Sequence, residues 1–321
     1  MKAAVLHELG KPPRFEDFAE PAVGKEEVLV RIRAASLKMV DKQLASGAHF
    51  ASPRQFPIIC GTDGVGTLAD GSRVFFGGPR RPYGAMAELT VAPHAFCFPV
   101  PSELDDATAA ALPNPGVSAW LSLTHRAKLA TGESVLILGA TGVTGQLAVQ
   151  IAKLLGARRV VAAGRNPQAL RRLGELGSAD STIQLDQPED SLKSAFAQAA
   201  GEDGFDVIID YLWGRPTERL LAAITKPEFA MIKKETRLVQ VGESAGPTIT
   251  LPAAVLRSTA LTITGTAGIP SREILVEAMQ QVLSRAARGE LRIATEQVPL
   301  ADIERVWQRP ERSGHRIVVI P

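Results

Sequence analysis

The chain is poor in the residues that build metal centres and disulfide frameworks. It has two cysteines, Cys60 and Cys97, neither with a neighbour at metal-ligand spacing, so a disulfide scaffold is excluded and a reducing compartment is expected. Charge of one sign is also missing. With 36 basic and 34 acidic side chains, the balance gives no electrostatic reason for a nucleic-acid or membrane partner. No apolar run approaches membrane-spanning length, and the opening Met1 to Glu8 is too polar for a signal h-region, so a cytoplasmic location is expected. Repeats, low-complexity tracts and flexible linkers are absent. Most telling is a local gap: between Glu133 and Glu175 there is no acidic residue at all.

That gap spans the stretch around which the chain is organised. Val135 to Leu138 is a continuous apolar run, fitting a strand buried on both faces. Gly139-Ala140-Thr141-Gly142-Val143-Thr144-Gly145 follows as a turn. Leu147, Ile151, Leu154 and Leu155 then recur at helical spacing up to Gly156, and Arg159 to Ala163 reads as a second strand. A pyrophosphate needs backbone N–H groups within contact distance at a helix N-terminus, and small residues permit that approach. Gly142 and Gly145 provide it, with Ala140 at the place of the first fingerprint glycine. Strand, turn, helix and strand in this order make dinucleotide binding the expectation over a plain turn.

Charge then selects the dinucleotide. An NAD site carries an acid at the end of the second strand to take the ribose 2′-hydroxyl. Here that strand ends in Gly164-Arg165-Asn166, with Arg171 and Arg172 beyond. A small residue leaves room for a 2′-phosphate, and a guanidinium pairs with it bidentately. NADP(H) is expected; a solvated helix face would explain the arginines but not the missing acid.

Before this stretch, residues 1 to about 115 look β-rich. Strands are expected at Lys2 to Leu6, Glu27 to Ala34, Arg73 to Phe76 and Met86 to Val91, with a short helix ending at Gly47 and a hairpin turn at Asp70-Gly71. Asp105 to Leu112 reads as an acid-capped helix stopped by Pro113 and Pro115, and Val117 to Lys128 as the next helix. From Gly116 onward helices and strands alternate, with strands at Asp206 to Asp210, Arg237 to Val241 and Leu261 to Thr264. This is the pattern of a doubly wound parallel sheet. Ser271 to Gly289 reads as a long amphipathic helix, and the closing His315 to Ile320 as a strand that returns to the N-terminal β-rich part.

Set in order, these segments resemble the medium-chain dehydrogenase/reductase superfamily, in the zinc-free quinone oxidoreductase branch that includes zeta-crystallin. The resemblance rests on Met1-Lys2-Ala3, on Lys38-Met39-Val40-Asp41 where relatives have Asn-Pro-x-Asp, and on Pro57 to Gly66. Ala109 to Pro113 running into Gly116-Val117-Ser118-Ala119-Trp120, the turn at 140–145 and the closing Gly314 to Val318 complete it. It implies an α/β fold: a Rossmann-type doubly wound parallel sheet at 118–267, binding NADP(H), plus a β-rich GroES-like substrate domain at 1–117 and 268–321. A catalytic zinc in this family takes a Cys from the segment reading Leu37 to Asp41 here, and a His-Glu pair from Gly61 to Gly64. Neither stretch holds a thiol or imidazole, so no metal site is expected.

Metal-free hydride transfer suits conjugated acceptors, with the nicotinamide carrying the chemistry and the protein supplying orientation and electrostatics. The resemblance implies NADPH-dependent reduction of a quinone. An alkenal, enone or enoyl-thioester reductase and a non-catalytic NADPH-binding redox sensor stand as alternatives. It places the nicotinamide near Lys38 and Asp41 on one side and near Gly242, Glu243, Gly265 and Thr266 on the other, with Ser118 touching its ribose or amide. Lys38 has two readings: an ammonium that stabilises a developing oxyanion, or a surface lysine. Asp41 reads as a helix cap as well as a cofactor neighbour. Tyr83 is a candidate proton donor, and Arg80 and Arg81 read either as an anion attractor or as a solvated loop. Tyr211 and Trp213 could line the cleft or pack in the core. The uncharged Leu261 to Thr264, the last strand of its sheet, is poor edge protection, and a homodimer through it is expected.

Overall fold

The structure is a computed structural model that describes residues 1–225, 234–266, 268, 271–310 and 312–321. The chain divides into two compact units, Met1–Asn114 with Met279–Pro321, and Pro115–Ala278.

In the first unit the hub is the strand Glu27–Leu37. Its residues are mainly β-branched or small, and their burial alternates before becoming continuous at the C-terminal end, as expected where one face and then both faces are covered. It pairs antiparallel with Asp63–Thr67, Leu89–Pro93 and the closing His315–Ile320. The last strand therefore does return to the N-terminal part, and it also pairs in parallel with Ala294–Pro299. A second, three-stranded sheet orders Arg14–Asp17, Lys2–Leu6 and Ile58–Ile59. Between the sheets lies an apolar core that includes Val5, Leu6, Val30, Ile32, Ile59, Phe76, Met86, Val306 and Val319.

The second unit contains a six-stranded parallel sheet in the order Ser181–Gln184, Arg159–Gly164, Ser134–Leu138, Val207–Asp210, Thr236–Gln240, Leu261–Gly265. Ser134–Leu138 is buried along its whole length, because it has neighbours on both edges and helices on both faces. From it the chain winds outward in one direction, then returns to add Val207–Asp210 on its other side. The carboxyl ends of Ser134–Leu138 and Val207–Asp210 thus form a topological switch point, the place where open α/β sheets bind ligands.

Three expectations need correction. The helix expected to stop before Pro113 does end, at Ala111, but the next helix begins at Pro113 and not at Val117, running Pro113–Leu121. A proline in the first turn of a helix lacks only an N–H that has no intrahelical acceptor there, and its fixed φ suits the start. The continuation expected to Lys128 is instead a π-helical turn at Ser122–Arg126. The strand expected from Met86 begins at Leu89, since Ala85, Met86 and Ala87 are drawn into the core beside the first strand.

Candidate functional site

The glycine turn is built from the strand end upward. Gly139 has φ of 84°, and the N–H groups of Gly139 and Ala140 both donate to the Ala163 carbonyl at 2.9 Å. That pair of bonds ties the turn to the end of the second strand. Gly142, extended at φ −75°, is the N-cap of the helix Val143–Leu154. The N–H groups of Val143, Thr144 and Gly145 lie in the first helical turn and have no intrahelical acceptor. A Cβ on Gly145 would collide with the Gly139 carbonyl and the Ala140 Cα, and one on Gly164 would collide with the Thr141 side chain. Gly145 is therefore required by a close approach of backbone and Gly164 by the packed Thr141 side chain, and the turn is a cradle of the shape and donor chemistry that a pyrophosphate needs.

Other residues expected to bind cofactor lie at carboxyl ends of the same sheet. Gly164, Arg165 and Asn166 follow the second strand. Arg165 is exposed and, like Arg171 and Arg172, forms no ion pair among the described residues. Asn166 acts locally, its side-chain oxygen accepting the N–H groups of Gln168 and Ala169 to cap Pro167–Glu175. Gly242 and Glu243 follow Thr236–Gln240, where the Gly242 N–H donates to the Asp210 carbonyl at 3.1 Å. Gly265 closes the edge strand and Thr266 follows it. Ser118 lies elsewhere in this unit, on the helix Pro113–Leu121, where its carbonyl accepts the Ser122 hydroxyl at 2.8 Å.

At the switch point, Asp210 is buried and its carboxylate accepts Thr217 Oγ1 at 2.5 Å and the N–H groups of Leu212 and Trp213 at 2.8 and 2.9 Å. Burial nevertheless pushes its carboxyl above the usual range. Tyr211 has a buried hydroxyl with no hydrogen-bond partner among the described residues, and burial pushes that phenol up, away from use as an acid.

In the other unit the residues around Lys38 form a closed ionic cluster. Lys38 is 2% exposed, so it is not a surface lysine. Its Nζ donates to Asp63 Oδ1 at 3.0 Å and to the Ser36 carbonyl at 3.1 Å, and lies 3.2 Å from Asp41 Oδ2. Burial opposes the ammonium, but Asp41 and then Asp63 outweigh it and hold the Lys38 pKa above its ordinary value. For Asp63 burial dominates, reinforced by Asp41 against Lys38, and the carboxyl is raised. Asp41 caps the start of the helix Met39–Ser46 by accepting the Lys38 N–H at 2.9 Å, and it also accepts the Thr62 N–H at 3.2 Å. Asp63 and Thr62 are the members that sequence reasoning missed. In sequence their segment reads only as the place of absent zinc ligands, and the pairing of residues 25 apart has no local signal.

Beside this cluster is a cavity of about 340 Å³, whose walls include Leu6, Val40, Leu44, Ile58, Ile59 and Pro79, with Asp41, His49, Thr62, Arg81 and Tyr83 as its polar lining. Lys38 is not among the lining residues. Tyr83 lines the cavity with its ring, stacked edge-on to Phe18, while its hydroxyl donates to the Glu20 carbonyl at 3.3 Å. Cys60, also in the wall, is buried, and burial drives its thiol pKa up. Cys97 lies elsewhere and is likewise pushed up, to about 11.

A family profile described as zinc-binding dehydrogenase matches residues 143–287. The chain is similar to a quinone oxidoreductase from Lama guanicoe, 31% identical over 66% of each chain. It is also similar to a probable NADPH-dependent quinone reductase, tdiC, from Emericella nidulans, 28% identical over 68% of this chain and 62% of that one, so the match spans less than two thirds of the fungal relative's length. Among solved structures, the quinone oxidoreductase from Thermus thermophilus, studied also in complex with NADPH, superposes with a TM-score of 0.80 at 28% identity over the full length of both chains. With the doubly wound sheet, its glycine turn and the separate β-rich unit already in place, these likenesses decide the matter: the chain belongs to the zinc-free quinone oxidoreductase branch of the medium-chain dehydrogenase/reductase superfamily.

Proposed function

We propose that the chain is an NADPH-dependent oxidoreductase whose acceptor is a quinone. The observation that carries the cofactor half is the end of the second strand. Gly164 lies against the turn, and among the described residues no carboxylate accompanies it and Arg165 stands beside it without an ionic partner. A ribose 2′-hydroxyl would find no carboxylate there, whereas a 2′-phosphate would find a guanidinium. Relatives named as NADPH-dependent or solved with NADPH support the same reading.

On this reading the turn Ala140 to Gly145 holds the pyrophosphate and Gly164, Arg165 and Asn166 surround the adenosine ribose. Ser118, Gly242, Glu243, Gly265 and Thr266 complete the binding surface for the remaining part. When bound, a dihydronicotinamide supplies one hydride, which together with one proton reduces a quinone to its quinol. The protein's own residues bind, orient and exclude water. Tyr83 directs its proton to the Glu20 carbonyl, so the balancing proton is taken from solvent. Lys38 and Asp41 act as positioning residues, because the ammonium is enclosed by the protein's own oxygens.

The test is calorimetric titration with NADPH and NADH, followed by anaerobic mixing with 9,10-phenanthrenequinone, 1,4-benzoquinone and a simple enone. Tighter NADPH binding with rapid oxidation by the quinones is expected. Arg165→Gln should weaken NADPH about tenfold or more, the scale of one charge-assisted hydrogen bond, and leave NADH unchanged. Preference for NADH would overturn the cofactor half, and oxidation by the enone alone would move the acceptor to the unsaturated carbonyls.

A further inference from the structure

The cavity beside the ionic cluster is apolar over most of its wall, yet one of its charges is left over. Three groups decide its electrostatics. Asp41 is neutralised in place, with Lys38 Nζ at 3.2 Å and the Thr62 N–H and hydroxyl on its other oxygen. His49 accepts the Ala51 N–H on Nδ1 at 3.1 Å, which in the neutral ring assigns the proton to Nε2 and makes that atom a donor. Arg81 has no carboxylate partner among the described residues, and its hydrogen bond there runs from Nη2 to the Ala51 carbonyl at 2.6 Å.

The contrast with the preceding residue is informative. Arg80 is consumed by the fold: it pairs with Glu27 at 2.7 Å, donates to the Ala22 carbonyl at 2.8 Å and lies over the Tyr83 ring. Among the described residues Arg81 is held by one bond, and a guanidinium has five N–H donors. The rim adds an aromatic. Phe50, between the lining residues His49 and Ala51, is 97% exposed and touches the His49 ring at 4.3 Å between centroids.

We propose that this cavity binds planar aromatic compounds bearing an anionic substituent, a carboxylate or sulfonate, with the ring against the apolar wall and the anion on Arg81. Its volume falls at the lower end of the range of small-molecule sites, where apolar walls supply affinity and a few polar groups fix orientation. Arg81 is exposed, which leaves its remaining N–H groups open to a ligand, and a guanidinium meets a carboxylate or sulfonate in a planar, two-bonded arrangement. The His49 Nε2–H offers a second donor. The identification of such anions with reducible quinones rests on the function proposed above; their binding does not.

The experiment separates the two. Intact protein is titrated calorimetrically with 2-naphthoate and with 2-naphthamide, which share a ring system and differ in charge. We expect the wild type to bind the naphthoate at least tenfold more tightly. Arg81→Gln should erase the difference, Arg81→Lys should keep part of it, and Arg54→Gln, at an exposed arginine outside the lining, should leave it intact. Thermal unfolding of each variant establishes that the fold is retained. Equal affinity for the two compounds, no binding of either at millimolar concentration, or a preference that survives Arg81→Gln would each overturn the proposal. A parallel assay with 1,4-benzoquinone judges the reductase reading alone. Turnover without naphthoate preference leaves that reading and removes this one, and preference without turnover does the reverse.

Discussion

Four oxygens surround the Lys38 ammonium: the Ser36 carbonyl and hydroxyl, Asp63 Oδ1 and Asp41 Oδ2. Removing the cation while keeping the fold would leave two buried carboxylates facing each other, and breaking a buried pair from one side costs about 3–5 kcal/mol. Lys38→Met should show a loss of that size in urea unfolding at neutral pH. Lys38→Met combined with Asp63→Asn should recover part of it, because the uncompensated charge is then reduced. At the turn, Gly145→Ala forces a Cβ into the Gly139 carbonyl. Overpacking of this kind costs about 1–3 kcal/mol, and the distorted cradle should lose NADPH affinity by more than tenfold in the same titration that reads the wild type. The turn was legible residue by residue, since its steric demand is met within seven consecutive positions. The role of Lys38 was not, since a lysine's sequence neighbours do not reveal which distant carboxylates enclose it.

Among the elements, the helix Asp106–Ala111 shows how a local signal and a proline divide the chain. Asp105 accepts the Thr108 N–H at 2.8 Å and the Thr108 hydroxyl at 2.7 Å. Partial burial works against its charge, but these bonds outweigh it and hold the carboxyl below its usual value. Asp105→Ala should cost about 1 kcal/mol at neutral pH, the ordinary worth of an N-cap. A depressed folded-state pKa gives stability that is present above the unfolded value, near 3.9, and lost as pH falls through the folded one. Wild type and variant should therefore converge in stability on acidification below about pH 4, as denaturant midpoints at pH 7 and pH 3 would show. Failure to converge would mean that the cap works through the helix geometry and not through charge. The cap and the core strands were readable because they rest on pattern within a few residues. Short strands such as Arg14–Asp17 and Ser181–Gln184 carry too little periodicity, and they are strands because a neighbour supplies the ladder.

For the whole molecule, the exposed feature of most consequence is the sheet edge at Leu261–Gly265, which pairs on one side with Thr236–Gln240. Its alternate residues Leu261 and Ile263 are half-buried and Thr262 is exposed, and no charge interrupts the run. An uncharged edge is a template for a second strand. We predict a two-fold homodimer that pairs these edges, with sedimentation at micromolar concentration returning twice the chain mass. The Ala260 carbonyl accepts the Thr236 N–H, so by alternation the Ile263 N–H points away from that neighbour. Ile263→Pro removes this edge donor and should shift the equilibrium toward monomer, and a wild type that sediments as monomer would dismiss the pairing. Among the described residues no helix is long and apolar enough to cross a membrane.

Sequence alone determined the elements whose cause is local: the alternating plan of the parallel sheet, the glycine cradle between strand and helix, and the absence of an acid from the end of the second strand. Each depends on neighbours a few positions away or on a period that repeats along the chain. Tertiary structure decided everything that depends on which distant groups meet. It enclosed Lys38 between Asp41 and Asp63, turned the Tyr83 hydroxyl to the Glu20 carbonyl, and consumed Arg80 while leaving Arg81 on a cavity wall. The physical reason is that a charge or a hydroxyl takes its function from its solvation and its partners, and for these residues both are set by chain segments that lie far apart in sequence.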